Sequence, residues 1–342
     1  MAFLLRVLLF PLAVVYDTIT RVRNRMYDQE MKPATGFDLP IISVGNLAVG
    51  GTGKTPMIEY LIRLIQPHHP VATLSRGYGR RTTGIRIAGP SENADLLGDE
   101  PYQVYRKFPD VTVAVGEDRV YAVPALLDQS PATRVILLDD AYQHRRIKPG
   151  FQILLTEYSK PFYRDYLLPA GRLREARKGA ARADVVVVTK CPPALSADEK
   201  TAIKASISQY THRPVFFSTI RYGDPVPFGG HNLALQRKLL LVTGIANAEP
   251  LKAYLAGKFE IVRHLNFPDH HRYTSKDMEQ LSAIVTGDVS VLTTEKDMVK
   301  MDALTKNLPQ PLPLFYLPME MVFLDDEKEF DAMVLKRVVV TA

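Results

Sequence analysis

Short runs that are apolar along their whole length punctuate this chain, and they restrict its fold more than any other feature. They are "LPIISVGNL" (39–47), "VATLS" (71–75), "VTVAVG" (111–116), "RVILLDD" (134–140), "FQILLTE" (151–157) and "DVVVVTK" (184–190). Further on come "PVFFSTI" (214–220), "KLLLVTGI" (238–245), "FEIVRHL" (259–265), "VSVLTT" (289–294) and "LPLFYL" (312–317). A strand with one wet face alternates in polarity, whereas a strand covered on both faces does not. The runs therefore predict an α/β chain with a mostly parallel sheet flanked by helices. "MIEYLIRLI" (57–65) is the first such helix, with Ile58, Leu61, Ile62 and Ile65 at helical spacing. The 342 residues, 46% of them hydrophobic, suffice for one large domain or two smaller ones. The Gly- and Pro-dense "RYGDPVPFGGHN" (221–232) reads as a turn between domains. The expected division is a core over 29–222 and a smaller C-terminal α/β subdomain over 223–342.

The N-terminus, "MAFLLRVLLFPLAVVYDTITRVRNRMYD", is apolar from Ala2 to Val15, interrupted by Arg6 and Pro11. That run is shorter than the roughly 20 residues a spanning helix needs. It leads into Tyr16, Asp17 and then Arg21, Arg23 and Arg25 rather than into a small-residue cleavage site. Residues 1–28 are expected to form an interfacial, membrane-associated helix, with Leu4, Leu5, Leu8, Leu9 and Leu12 on one side and arginines able to meet lipid phosphates.

The stretch "SVGNLAVGGTGKTPM" (43–57) joins the first strand to the first helix. Strand, glycine loop and helix are the context that a phosphate-binding loop requires. Gly50, Gly51 and Gly53 let successive N–H groups point at one anion, and the helix N-terminus adds partial positive charge. Lys54 would reach the β- and γ-phosphates, and the Thr55 hydroxyl would bind Mg²⁺. The usual spacing G-x-x-x-x-G-K-[ST] has a glycine where this chain has Ala48, and alanine is the smallest replacement. The expected nucleotide site is Ala48, Val49, Gly50, Gly51, Thr52, Gly53, Lys54 and Thr55. The fold is then P-loop NTPase-like, with ATP and Mg²⁺ as cofactors. Such a loop needs an aspartate at the end of a second buried strand. "RVILLDDAYQHRR" supplies Asp139 and Asp140. Neighbours on a strand face opposite ways, so one of them points at the metal; Asp139 is favoured, with Thr55.

Three further clusters look chemical. "LSRGYGRR" (74–81) carries Arg76, Arg80 and Arg81 with two glycines, an anion-binding loop. "GDEPYQ" (98–103) puts Asp99 and Glu100 in what reads as a tight turn. "NFPDHHRYT" (266–274) has Asp269, His270, His271 and Arg272 just after a strand. A kinase must draw an alcohol proton toward a base while the γ-phosphoryl moves. Asp99 as base, with His270 tuning or sharing its proton, forms a suitable pair.

The single cysteine, Cys191, excludes an intramolecular disulfide and a zinc cluster of several thiolates. The formal charge of +6 suits anionic partners in general. Nucleic acid is not expected, because the basic residues are dispersed without the interleaved aromatics of a stacking platform. The rival class is a regulatory or delivery NTPase docked at the membrane, using the same loop as a switch.

Taken in order, "SVGNLAVGGTGKTP", "LSRGYGR", "GDEP", "LDDAYQHRR", "LLPAGRLRE", "FPDHHRYT" and "TTEKDMVK" resemble the tetraacyldisaccharide 4'-kinase family, the lipid A 4'-kinases of Gram-negative bacteria. The resemblance runs from the N-terminal helix to about residue 300. It includes the loop lacking its first glycine, and it departs at Ala141, where the family usually has glycine. The resemblance implies ATP- and Mg²⁺-dependent phosphorylation of the 4'-hydroxyl of a tetraacylated glucosamine disaccharide 1-phosphate. It implies a peripheral (monotopic) protein on the cytoplasmic face of the bacterial inner membrane, with a lipid substrate and no obligate protein partner. The family's catalytic Asp–His pair falls on Asp99 and His270. Its substrate contacts fall around Arg76, Arg119 and Glu175, to which the loop residues Gln143 and His144 are added. "TTEKD" (293–297) ends a strand and is expected to meet the nucleotide base.

Overall fold

Each apolar run becomes a strand, and the strands nearest the glycine loop are buried on both faces, as their composition requires. The computed structural model describes residues 2–230, 233–285, 287–306, 308 and 310–339, with side chains of the first helix described from Val7 onward. In chain order the first half contains α1 (Ala2–Asp28), β1 (Ile41–Asn46), α2 (Lys54–Ile65), β2 (Val71–Ser75), β3 (Arg86–Ile87), α3 (Ala94–Leu97), α4 (Asp99–Lys107), β4 (Thr112–Val115), α5 (Arg119–Gln129), β5 (Val135–Asp139) and β6 (Phe151–Glu157). There follow β7 (Val185–Thr189), α6 (Ala197–Ser208), β8 (Val215–Tyr222), β9 (Val226–Pro227), β10 (Lys238–Thr243), α7 (Glu249–Leu255), β11 (Glu260–Asn266) and α8 (Ser275–Ile284). The last elements are β12 (Val289–Thr294), α9 (Glu295–Thr305), β13 (Leu314–Leu317), β14 (Met319–Phe323) and α10 (Glu327–Val338).

A nine-stranded sheet runs β14-β8-β7-β6-β1-β5-β2-β4-β3, and a five-stranded sheet runs β11-β10-β12-β13-β9. Pairing is parallel except at β3–β4, β14–β8 and β13–β9, all at sheet edges. β1 is central, flanked by β5 and β6. α2 lays Met57, Ile58, Leu61, Ile62 and Ile65 onto this sheet, and Phe330, Val334 and Val338 of α10 join the same core. The chain thus leaves the first sheet after β8, builds the second, and returns. The sequence reading assigned 223–342 to one C-terminal subdomain, but β14 and α10 belong with the first sheet. We propose that the second unit is the segment from β9 to β13. Of the turn expected over 221–232, His231 and Asn232 lie outside the described residues.

"GDEPYQ" is not a free-standing tight turn. Gly98, at φ +98°, ends α3, and Asp99 and Glu100 form the first turn of α4, where acidic side chains complement the helix dipole. This short helix sits between the two units. Its Val104 is in the first core and its Tyr102 packs on the second. Its Lys107 ammonium donates at 2.8 Å to Glu59 of α2 and at 2.8 Å to Glu295 of α9. Gln103 closes the other Glu59 oxygen at 2.8 Å. Glu59 and Glu295 are 1% and 4% exposed, and Lys107 is the cation they share, with Arg63 3.8 Å from Glu59 as a longer second contact.

α1 is a continuous helix whose two halves behave differently. Val7, Leu8, Phe10, Leu12, Val14 and Val15 are exposed. The apolar surface is therefore wider than the leucine stripe read from the sequence; Leu4 and Leu5 lie outside the described side chains. No helix among the described residues is long and apolar enough to cross a membrane. The later half is tied down. Tyr16 donates to the Arg174 carbonyl at 2.9 Å, Asn24 to Glu175 at 2.9 Å, and Arg23 to the Gln143 carbonyl.

Removing one partner from a buried ion cluster leaves an uncompensated charge, a loss of about 3–5 kcal/mol. Lys107→Met is expected to lower the urea midpoint by an amount on that scale, while a Glu59→Gln/Lys107→Met pair costs less than the sum of its parts. Denaturant unfolding of the single and double variants measures this. Additive losses would mean that the cluster is not a unit.

Candidate active site

In open α/β sheets, ligands bind beyond the carboxyl ends of the strands, and here both sheets contribute such ends. The segment after β2 meets the one after β11, where Arg272 donates to the Gly79 carbonyl at 3.0 Å and Tyr78 stands against His270.

After Asn46 the chain pairs backward, with Ala48 bridged antiparallel to Leu173 and the Val49 N–H donating to the Arg172 carbonyl at 2.8 Å. Ala48 packs in a cluster with Leu47, Tyr142 and Leu173, and it is not among the positive-φ residues. A methyl group is accommodated here, so the glycine of the usual spacing is not required. Gly50 and Gly53 do take positive φ, +111° and +87°, where a side chain would be strained. The loop is braced inside by Asn46 Nδ2 donating to Thr52 Oγ1 at 2.7 Å. It is braced from β7 by Thr189 Oγ1 donating to the Thr52 carbonyl at 2.8 Å, and by Lys190 donating to the Gly51 carbonyl. The sequence reading missed Thr189 and Lys190. Their signal was a polar pair closing the run "DVVVVTK". Lys54 and Thr55 open α2, and Lys54 Nζ rests 3.7 Å from Asp140 Oδ1.

Asp139 ends β5, paired in register with Val44 of β1. It lines a small cleft with Thr55, Thr73, Ser75 and Glu100. Its Oδ1 is sealed from solvent and accepts no hydrogen bond. Burial, opposed by Lys54 and reinforced by Asp140 and Glu100, pushes its pKa up to about 7. Asp140 turns away at φ +50° and pairs with Arg174 Nη2 at 2.6 Å. Burial works against its ionised form, but Lys54 and Arg174 outweigh this and hold its pKa below the ordinary carboxylate value. An unpartnered, buried carboxylate oxygen beside a hydroxyl fits a small hard cation. Among the described residues no three His, Cys, Asp or Glu side chains gather into a metal cage. That suits an ion held by one or two carboxylates and otherwise by phosphate and water.

His270 Nδ1 lies 3.1 Å from Asp99 Oδ2, so the loop after β11 meets the start of α4. His270 has φ +60° and Tyr78 stands edge-on to its ring. The hydrogen bond to Asp99 raises the His270 pKa, with burial and Lys296 opposing. Burial pushes Asp99 upward, but the His270 hydrogen bond and the charges of Lys300 and Lys296 win, so its pKa is lowered. The hydrogen bond from His270 and the approach of Lys300 both fall on Oδ2. Glu100, next to Asp99, lines the Asp139 cleft and pairs with Lys296 at 3.2 Å. Glu100 thus places the start of α4, with the dyad's Asp99 as its neighbour, against the cleft that Thr55 and Asp139 line. In "TTEKD", Lys296 reaches His270 Nε2 at 3.3 Å, and Asp297 is fully buried.

The substrate candidates divide into two groups. Arg119 is buried at the start of α5, with Nη1 on the Glu117 carbonyl at 3.0 Å and Nε without a partner. Burial pulls its pKa down to about 10, Asp139 and Asp140 oppose this, and Arg76 is near enough to add to the lowering. His144 is lowered by burial and by the Arg119 charge. Arg76 and Arg119 thus form a cationic pair beside the two aspartates, with His144 near Arg119 and biased toward its neutral form, and Arg76 is exposed. Glu175 and Gln143 are instead engaged with each other. Glu175 Oε1 accepts from Gln143 at 2.9 Å and Arg182 at 2.8 Å, and its Oε2 accepts from Asn24.

A profile described as tetraacyldisaccharide-1-P 4'-kinase, LpxK, matches residues 5–339. The chain belongs to this kinase family. The match extends beyond residue 300, where the motifs end. A tetraacyldisaccharide 4'-kinase of Flavobacterium johnsoniae is 45% identical over 97% of this chain and 97% of its own. One of Bacteroides thetaiotaomicron is 39% identical over 94% of this chain and 90% of its own. A crystal structure of LpxK from Aquifex aeolicus in complex with ATP is 27% identical, with a TM-score of 0.78 over 98% of this chain and 99% of that one. Both the profile match and the structural likeness thus extend over nearly the whole chain.

Because the Asp139 pKa is raised from 3.8 to about 7, folding favours its protonated form. The stability it contributes is complete below pH 3.8 and is lost as pH climbs through about 7. In protein free of nucleotide and divalent cation, Asp139→Asn is expected to melt higher than the parent at pH 8 and to lose that advantage near pH 4. Thermal unfolding at the two pH values checks this, and equal melting at pH 8 would contradict the desolvation of this carboxyl.

Proposed function

We propose that this protein transfers the γ-phosphoryl group of ATP to the 4'-hydroxyl of a tetraacylated glucosamine disaccharide 1-phosphate, a step in lipid A biosynthesis. One observation carries the reading: Asp99, in contact with His270, is the chain neighbour of Glu100, which lines one cleft with Thr55 and Asp139. A switch NTPase has no use for an aspartate–histidine pair beside its phosphate loop, whereas an alcohol acceptor does.

Ala48 to Thr55 cradle the ATP phosphates, and Lys54 exchanges Asp140 for the β- and γ-phosphates. Asp139 and Thr55 would hold Mg²⁺, which supplies positive charge to the phosphate oxygens. The 4'-hydroxyl donates to Asp99 Oδ1, on which no hydrogen bond falls among the described residues, while His270 orients Asp99 and shares the proton. The hydroxyl oxygen bonds to the γ-phosphorus, ADP leaves, and the proton passes to the dyad. Phosphoryl transfer has a loose transition state, so positioning matters more than basicity, and the lowered Asp99 pKa is no obstacle. Arg76, Arg119 and His144 meet the 1-phosphate, and Gln143 and Glu175 shape the wall beside it. The exposed apolar half of α1 enters the cytoplasmic face of the inner membrane, where Arg21 and Arg25 meet lipid phosphates. The protein is peripheral there and needs no protein partner.

With labelled ATP and the lipid disaccharide 1-phosphate, label is expected on lipid, resolved by lipid chromatography. Label released only as free phosphate would instead support the regulatory NTPase. Asp99→Ala and His270→Ala are each expected to lower turnover by about 10²–10⁴. Lys54→Ala loses most activity, and Ala48→Gly retains it. Near-parental turnover of both dyad variants at saturating substrate would refute the assignment. Leu8→Glu/Leu12→Glu is expected to release the folded protein from anionic liposomes on sedimentation; unchanged binding would sink the membrane role of α1.

A further inference from the structure

The last residue of the segment "TTEKDMVK" (293–300), Lys300, stands beside the dyad's Asp99. The Lys300 side chain is 6% exposed. Its ammonium lies 3.1 Å from Asp297 Oδ1 and 3.6 Å from Asp99 Oδ2, 5.5 Å from the centre of the Tyr273 ring, and makes no aligned hydrogen bond. Asp297 is fixed independently. Its Oδ2 accepts from the Gly244 N–H at 2.8 Å and from Thr294 Oγ1 at 2.7 Å, leaving Oδ1 to face Lys300. Gly244 follows β10 and Thr294 ends β12, so two adjacent strands of the second sheet hold the far end of the chain of contacts. That chain runs from sheet to Asp297, to Lys300, to Asp99.

A sealed ammonium without a well-aligned hydrogen bond is a poor device for stability, because its desolvation is not fully repaid. Such exceptions concentrate at functional sites. Here the ammonium approaches the same oxygen, Oδ2, that takes the His270 hydrogen bond. Two contacts on one oxygen fix the carboxylate plane and leave Oδ1 for an incoming hydroxyl.

We propose that Lys300 is a positioning residue for the phosphoryl transfer, holding Asp99 in the orientation that receives the acceptor hydroxyl. The proposal rests on the reading of Asp99 and His270 as the catalytic pair. Lys300 belongs to α9 and Asp99 to α4, so this contact also couples the second unit to the chemistry. Lys296, on the same helix, faces His270, Glu100 and Asp269 and does not replace it.

The test is a double-mutant cycle on the full chain with ATP and lipid acceptor. Lys300→Met and Lys300→Gln are expected to lower kcat about 10–100-fold, the scale found when a partner that orients a reacting or ligating group is lost. KM for both substrates should stay within about threefold, since neither touches Lys300. In an Asp99→Asn background the same substitutions should cost less than about threefold more, because they act through Asp99. Equal losses in both backgrounds, or kcat unchanged in the single variants, would overturn the proposal. So would failure of both single variants to fold by thermal melting, which would make Lys300 structural. Full turnover of Asp99→Asn alone would remove the catalytic pair instead, a distinct outcome.

Discussion

The site depends on the packing of α4 between two cores. Tyr102 turns to one and Val104 to the other, while Asp99 at its first turn and Lys107 at its last each bind α9. A nine-residue helix would not hold its shape alone in water. Its order comes from burial on two sides and from ion pairs that reach α2 and α9. Glu59 lies little more than one turn after Thr55 on α2, and through Lys107 it meets Glu295. The helix that opens at the phosphate loop, the helix that opens at the proposed base and the helix that carries Lys300 are thereby fixed to one another.

The charges of the cleft are arranged by environment rather than by number. Asp139 and Asp140 are neighbours, yet burial drives one pKa upward while Lys54 and Arg174 hold the other down. Asp99 stays low despite burial because His270 and two lysines face it. The pattern separates a carboxyl on which burial outweighs the nearby cations from carboxylates on which ion pairs and hydrogen bonds win.

Much of this was legible in the residues. Strands buried on both faces announce themselves by unbroken apolar runs, and the glycine loop by its place between strand and helix. Asp139 was readable because a parallel strand ends there. What escaped has physical reasons. β3 and β9 are two-residue edge pairings with no room for a pattern. β14 and α10 follow the second sheet in the chain, so their return to the first core is a matter of packing that local pattern does not encode. The place of Lys296 and Lys300 beside residues some 200 positions earlier in the chain also lies in tertiary structure. The network that Asn24, Gln143 and Arg182 make on Glu175 likewise joins residues far apart in the chain.

That last network ties the outside of the protein to its centre. Asn24 of α1 binds Glu175; Gln143, on the other Glu175 oxygen, also donates to the Asn46 carbonyl at 2.9 Å, and the Asn46 side chain braces Thr52. The first helix is therefore not a tether that could be exchanged for another. A foreign helix of equal greasiness would leave a buried carboxylate short of a donor. Gene fusion or domain shuffling at this boundary would be penalised at the phosphate loop itself.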